Sequence, residues 1–280
     1  AGNFGIRNAG TMNIGWTGSG TPTTGAIKLI SDRYSFGSTS VNGSGSLTFE
    51  SVGASFLDAF NTTSLTTGTT FTGLTIGKTT NAQAITIGRA ASVAGPVRIY
   101  GSNVTISSAL SSGTAEMFIS ATGAVTQSAA ISGGELVLDR GGSFTLNNVG
   151  NAFTTLAAGL TGTPIGSLDY TDANALTIGS VTSQSVAYSG ITSTGTVSVA
   201  TQAGNLTVSN NIATTSTNAT SAVILNAGRN ASVVSSAPAV GADTAGELLI
   251  IGNGVTITTG TGGRATLYTG QVVNANLLAL

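Results

Sequence analysis

Along most of the chain an aliphatic residue, a hydroxyl residue and a second aliphatic residue recur as a unit, bounded by Gly, Ala, Ser or Asn. Leu74-Thr75-Ile76-Gly77 sets the form. Ile85-Thr86-Ile87-Gly88, Val104-Thr105-Ile106, Phe144-Thr145-Leu146, Leu176-Thr177-Ile178, Val197-Ser198-Val199 and Leu206-Thr207-Val208 repeat it. In extended backbone, side chains alternate, so the aliphatics share one face and the hydroxyl takes the other. Further runs of the same kind are Met12–Ile14, Ile27–Ile30, Leu47–Phe49, Val97 to Tyr100, Phe118-Ile119, Val125-Thr126, Leu136 to Leu138, Phe153 to Leu156 and Ile165 to Leu168. Ala222 to Leu225, Ser232 to Val234, Leu248 to Ile251, Val255 to Ile257 and Ala265 to Tyr268 complete the series. None is long enough to be a domain strand with its own partner. Such fragments become stable when the chain coils and each stacks on its equivalent one turn away.

The spacing supports coiling. Runs starting at residues 85, 104, 125, 144 and 165 are 19, 21, 19 and 21 residues apart, and those at 176 and 197 are 21 apart. Steps of about 20 residues are a solenoid signal. No 3.6-residue apolar period exists, and Gly, Ser and Thr interrupt every candidate helix. An immunoglobulin-type sandwich needs longer strands and regular hairpin turns, whereas Asn-Gly occurs only at Asn42-Gly43 and Asn253-Gly254. The pattern predicts an all-β fold, a right-handed parallel β-helix (β-solenoid) with coils of about 20 residues. It is expected to run as one continuous solenoid over residues 1–280, less regular before about residue 46. Phe56, Phe60 and Phe71 are expected to fill coil interiors, a surface platform for sugar rings being the alternative. The apolar stretch from Val272 to Leu280 predicts an uncapped end, suited to end-to-end self-association.

Composition narrows what such a fold could do. Only 7% of the 280 residues are charged and the net charge is −1, so no basic stripe is available for nucleic acid. Ser and Thr make up more than a quarter of the chain, so polarity comes from hydroxyls on a β-favouring surface. The longest apolar runs are strand-sized, well short of a membrane span. With no Cys and no His, thiolate metal sites, disulfides and the commonest general base are all excluded. The start, Ala1-Gly2-Asn3-Phe4-Gly5-Ile6-Arg7, has no basic then apolar leader pattern, and an internal piece of a longer chain is expected.

Several phrases resemble a known family. Ser112 to Ser128 (SGTAEMFISATGAVTQS), Gln127 to Leu138 (QSAAISGGELVL), Ser143 to Leu156 (SFTLNNVGNAFTTL) and Asp172 to Gly179 (DANALTIG) are similar to the shaft repeats of filamentous-haemagglutinin-like bacterial surface adhesins, exported by two-partner secretion. Ile85 to Gly101 has the same character, and the similarity covers most of the chain from about residue 74. The resemblance implies an extracellular, cell-surface β-helical stalk that engages polysaccharide, a host surface or neighbouring cells. The secretion domain of that family carries Asn-Pro motifs, and this chain has none. It therefore resembles the shaft alone, and no binding residue carries over.

The same scaffold carries few groups with chemistry to offer. Glu135 and Asp139 both face outward if their run is extended, about 13 Å apart, farther than the roughly 5–9.5 Å used by glycosidases. Asp169 and Asp172 lie three apart and face opposite ways in a strand, so solvated carboxylates beside a turn are expected. Asp139-Arg140 and Gly263-Arg264 place Arg beside turn glycines, where a local ion pair is worth little. The Asp-rich nonapeptide of calcium-binding β-helices is absent. Sequons at Asn42, Asn61, Asn103, Asn205, Asn218 and Asn230 are no more frequent than so much Ser and Thr produces by chance. The expectation is a non-enzymatic shaft without catalytic residue, cofactor or metal. Its rivals are a polysaccharide-degrading β-helix enzyme and an ice-binding β-solenoid, the latter needing Thr at regular spacing on one flat face.

Overall fold

A computed structural model describes residues 4–14, 25–37, 39–68, 70–229, 246–252 and 254–269. Among these the fold is an all-β parallel β-solenoid without helices, its turns about 23 residues apart. The chain divides into two compact units, residues 1–134 and 135–280.

In the first unit, identical faces stack turn upon turn. Ile27, Leu47, Leu74, Val97 and Met117 pair in register along one sheet, and Leu29, Phe49, Ile76, Ile99 and Ile119 form the next inward column. All are buried. A second sheet stacks Phe60, Ile85, Val104 and Val125, and a third stacks Ala91, Leu110 and Ile131. The aliphatic–Thr–aliphatic run is what makes this work. β-branched residues suit the pleat, and each buried Ile or Leu contributes about 2 kcal/mol of apolar transfer. Phe56, Phe60 and Phe71 are no more than 3% exposed, which answers the aromatic-platform alternative in favour of the core. Tyr34, Phe49, Phe56 and Phe60 meet one another with ring centroids 5.2–5.7 Å apart.

The second unit repeats the scheme with less even steps. Leu136, Leu156, Ile178, Val208 and Ile250 form one inward column. Phe144, Leu168, Val197 and Val223 form another on a second sheet, where exposed Ala265 continues the register. Here two sequence expectations are corrected. Leu176 stacks on Leu206 rather than Val197, and Val197 stacks on Leu168. Ile165 makes only an isolated bridge to Ser193, and the strand begins at Leu168.

The cause of the displacement is an insertion. Between Ile178 and Ile191 the chain leaves the coil as an antiparallel hairpin, Ser180–Ser183 against Val186–Ser189. Gly190 N–H donates to Gly179 C=O at 2.8 Å, closing the excursion at its base. Gly190 has φ +68°, and a Cβ there would run into the Asn211 carbonyl, so no other residue fits that return. The hairpin lies against the strands Glu135–Asp139 and Thr155–Ala158. Consequently Val137 and Ala157, which point away from the interior, are still fully buried, together with Val181 and Tyr188 of the hairpin. Trp16, Ser232 to Val234, Asn230 and the apolar stretch from Val272 lie outside the described residues.

Candidate functional site

With the aliphatics turned inward, the outward positions also stack. In the first unit Asn61, Thr86, Thr105 and Thr126 are register partners on four successive turns. Adjacent strands lie about 4.8 Å apart, so this column presents one polar side chain at each such step. Asn61, Thr105 and Thr126 are exposed and Thr86 is half-buried. Asn61 uses its Oδ1 to accept from the N–H and hydroxyl of Thr63, at 2.8 and 2.6 Å. The hydroxyls of Thr86, Thr105 and Thr126 make no hydrogen bond within the described protein. Thr155, Thr177 and Thr207 form a shorter ladder of the same kind in the second unit.

A different outer face of the first unit carries the charge. Lys28, Thr48, Thr75 and Arg98 are register partners there. The Lys28 ammonium lies 2.6 Å from Glu50, which Lys78 approaches at 3.9 Å, and Arg98 lies 3.6 Å from Glu116. Arg33 pairs with Asp58 at 2.8 Å. Lys28 and Arg33 are about half exposed, so these pairs steer and solvate more than they stabilise.

The acidic candidates do not assemble into a catalytic pair. Asp169 points outward and accepts from the Asn147 amide at 2.8 Å. Asp172, expected to be solvated, is instead fully buried. Its Oδ2 accepts from the Tyr170 hydroxyl at 2.6 Å and from Phe153 N–H at 2.9 Å, and its Oδ1 from Asn174 N–H at 2.9 Å. Burial is the main reason that the Asp172 carboxyl is held above the usual carboxylate range, against the pull of those three donors. Burial also pushes the Tyr170 phenol well above its ordinary value, and the Asp172 charge adds to this. Nearby Asn151, fully buried, donates to the carbonyls of Leu146 and Thr171 at 2.9 and 3.1 Å. Asn81 does the same work in the first unit, accepting from Phe56 N–H at 3.2 Å and donating to Tyr100 C=O at 2.7 Å. These buried amides and the Asp172 carboxylate satisfy backbone groups where the chain turns a corner. Their partners are all protein groups, and their geometry is that of structural anchors.

Glu135 and Asp139 flank the buried Leu136-Val137-Leu138 at the two ends of one strand, as period two requires. Arg140, beyond them, holds φ +70° at the turn. An apolar void of about 10 Å3, lined by Leu65, Leu74, Ile76, Ile87 and others, has room for no more than a single water. Among the described residues no group of three or more His, Cys, Asp or Glu could hold a metal, and no helix is long and apolar enough to cross a membrane. The strand register across turns is what sequence reasoning could not supply, and with it the alignment of Asn61, Thr86, Thr105 and Thr126. Set against known protein families, curated proteins and solved structures, the chain matches none.

Proposed function

We propose that the chain is a structural shaft segment of an extracellular bacterial adhesin or fibre, whose task is to extend and to present side surfaces for attachment. The observation that carries this reading is the stacking itself. Aliphatic columns fill the interior over successive turns, while among the described residues the outer faces hold hydroxyls, amides and a few ion pairs. A stacked fold of this kind lengthens by adding turns, each contacting only its neighbours. Contacts along its side are weak singly and strong together. The resemblance of Ser112 to Leu138, Ser143 to Leu156 and Asp172 to Gly179 to adhesin shaft repeats points the same way.

The reading assigns no catalytic chemistry. Asp172, the best acid by its raised pKa, is sealed inside, and Asp169 faces away from it. Electron microscopy of the full-length native material, with its mass, tests the proposal. Elongated surface-attached particles are the expected outcome. Short, monodisperse, non-adhering particles would overturn it, and depolymerisation of a polysaccharide that is lost in Glu135→Gln or Asp169→Asn would replace it with an enzyme.

A further inference from the structure

We propose that the ladder of Asn61, Thr86, Thr105 and Thr126 is the attachment face, and that its ligand is a neutral, extended polysaccharide lying along the stacking direction. This rests on the adhesin reading and goes further by naming the surface and the ligand class. Three observations converge on it. The four residues are register partners on four successive turns, so their polar groups repeat about every 4.8 Å in a straight file. An extended sugar chain advances by about one sugar per rung and turns each sugar over relative to the last, so alternate rungs meet like hydroxyl edges of alternate sugars.

Second, the three Thr rungs are uncommitted, although the Asn61 Oδ1 already accepts from Thr63. The hydroxyls of Thr86, Thr105 and Thr126 are left without a protein partner, while neighbouring hydroxyls are spent locally: Ser107 Oγ donates to Ile87 C=O at 3.2 Å and Ser108 Oγ to Gly88 C=O at 3.0 Å. β-branching restricts the χ1 of each Thr, so little rotamer freedom remains to be lost on binding.

Third, charge is segregated. The strands that carry the ladder, Phe60–Asn61, Ile85–Ile87, Val104–Ile106 and Ala124–Gln127, contain no Asp, Glu, Lys or Arg. Lys28, Glu50, Lys78, Arg98 and Glu116 belong to a different sheet, on or beside its strands. Exposed Arg89, whose N–H donates to Thr62 Oγ1 at 3.4 Å, stands beside the Asn61 and Thr86 rungs. A single flanking cation gives an anionic polymer nothing to follow from rung to rung, whereas a neutral one meets donors and acceptors along the whole file. The buried aromatics leave no stacking platform there, so hydrogen bonding along the file must supply the affinity.

The test uses the whole chain and its triple variant Thr86→Val, Thr105→Val, Thr126→Val, which keeps shape and β-branching and deletes the three hydroxyls. Circular dichroism and thermal melting establish that the variant retains its fold. Co-sedimentation is then measured with insoluble cellulose and chitin, and with alginate gel as the anionic comparison. The proposal expects retention on at least one neutral polymer, about tenfold or more weaker in the variant, and little changed by 0.5 M NaCl because no charge is used. Equal retention of both proteins would overturn the ladder as the site while leaving the adhesin reading in place. Retention on alginate alone, abolished by salt, would overturn the neutral ligand. Thermal hysteresis present in the natural chain and lost in the variant would overturn it in favour of ice. Elongated native fibres with no retention on any polymer would overturn this inference and spare the shaft.

Discussion

The hydroxyl of Tyr170 donates a 2.6 Å hydrogen bond to the carboxylate of Asp172, two residues further along the same strand, with both side chains in the interior. An ionisable group is thereby kept inside a β-solenoid by its own strand neighbour. The arrangement gives the second unit a pH dependence of definite sign. The Asp172 pKa is raised in the folded chain, chiefly by burial. Its contribution to stability is therefore fully present below the ordinary carboxylate value near 3.9 and is lost as pH rises through the raised native value. Asp172→Asn removes that dependence. Urea midpoints between about pH 3 and pH 8 should show the natural chain losing stability relative to the variant as pH climbs. A gap that instead widens in favour of the natural chain with rising pH would refute the assignment.

Asn81 should be costly to remove. It is 1% exposed, and Asn81→Ala removes the acceptor of Phe56 N–H and a donor to Tyr100 C=O in a buried corner. Losing a buried hydrogen bond of this kind costs about 1–3 kcal/mol, so a loss of about 2–5 kcal/mol is expected from denaturant unfolding. A loss below about 0.5 kcal/mol would place it with ordinary surface substitutions.

Inside and outside of the same strand should respond in opposite fashion. Ile178 is fully buried between Leu156 and Val208, and its neighbour Thr177 faces outward beside Thr155 and Thr207. Ile178→Asp places an unpaired charge in the stack and should cost about 4 kcal/mol or more, or prevent folding. Thr177→Asp should stay within about 0.5–1 kcal/mol. Paired thermal melts of the two variants decide this, and comparable losses would contradict the inward–outward assignment.

The hairpin tip carries avoidable strain. Gln184 and Ser185 have φ of +49° and +69°, the paired left-handed conformation of a type I′ turn, where Asn-Gly is preferred. The double change Gln184→Asn and Ser185→Gly should raise stability by about 1 kcal/mol. A lower denaturation midpoint would argue that the turn is held by something other than its backbone preference.

Much of the fold was legible because alternation and hydroxyl content act locally. Leu74-Thr75-Ile76 and Ile85-Thr86-Ile87 are strands for the same reason that they read as strands, and the steps of 19 and 21 from Ile85 through Val104 to Val125 are true stacking intervals. Reading failed where a segment leaves the coil. Val181 and Tyr188 alternate like any strand, and nothing local distinguishes a partner across a two-residue turn from a partner a full coil away. The false stacking of Val197 on Leu176 follows from that omission. Asp172 was misjudged for another reason. It keeps the parity of Leu168 and Tyr170, yet the apolar character of the run ends before it, so its interior place was signalled only by the neighbouring phenol. The ladder of Asn61, Thr86, Thr105 and Thr126 was hidden differently, because each residue is unexceptional and only the register makes them a file.

The closure of the hairpin by Gly179 and Gly190 separates the length of the chain from the girth of the coil. Whatever the path does beyond that pinch, Ile178 and Ile191 resume their places in the stack. Evolution can therefore treat the position as a cassette, and so can an engineer. Residues added between Gln184 and Ser185 pay only a slowly growing loop-closure entropy, while Val181 and Tyr188 stay docked over Val137 and Ala157. A solenoid that tolerates such lateral inserts can acquire new loops one at a time without renegotiating its core.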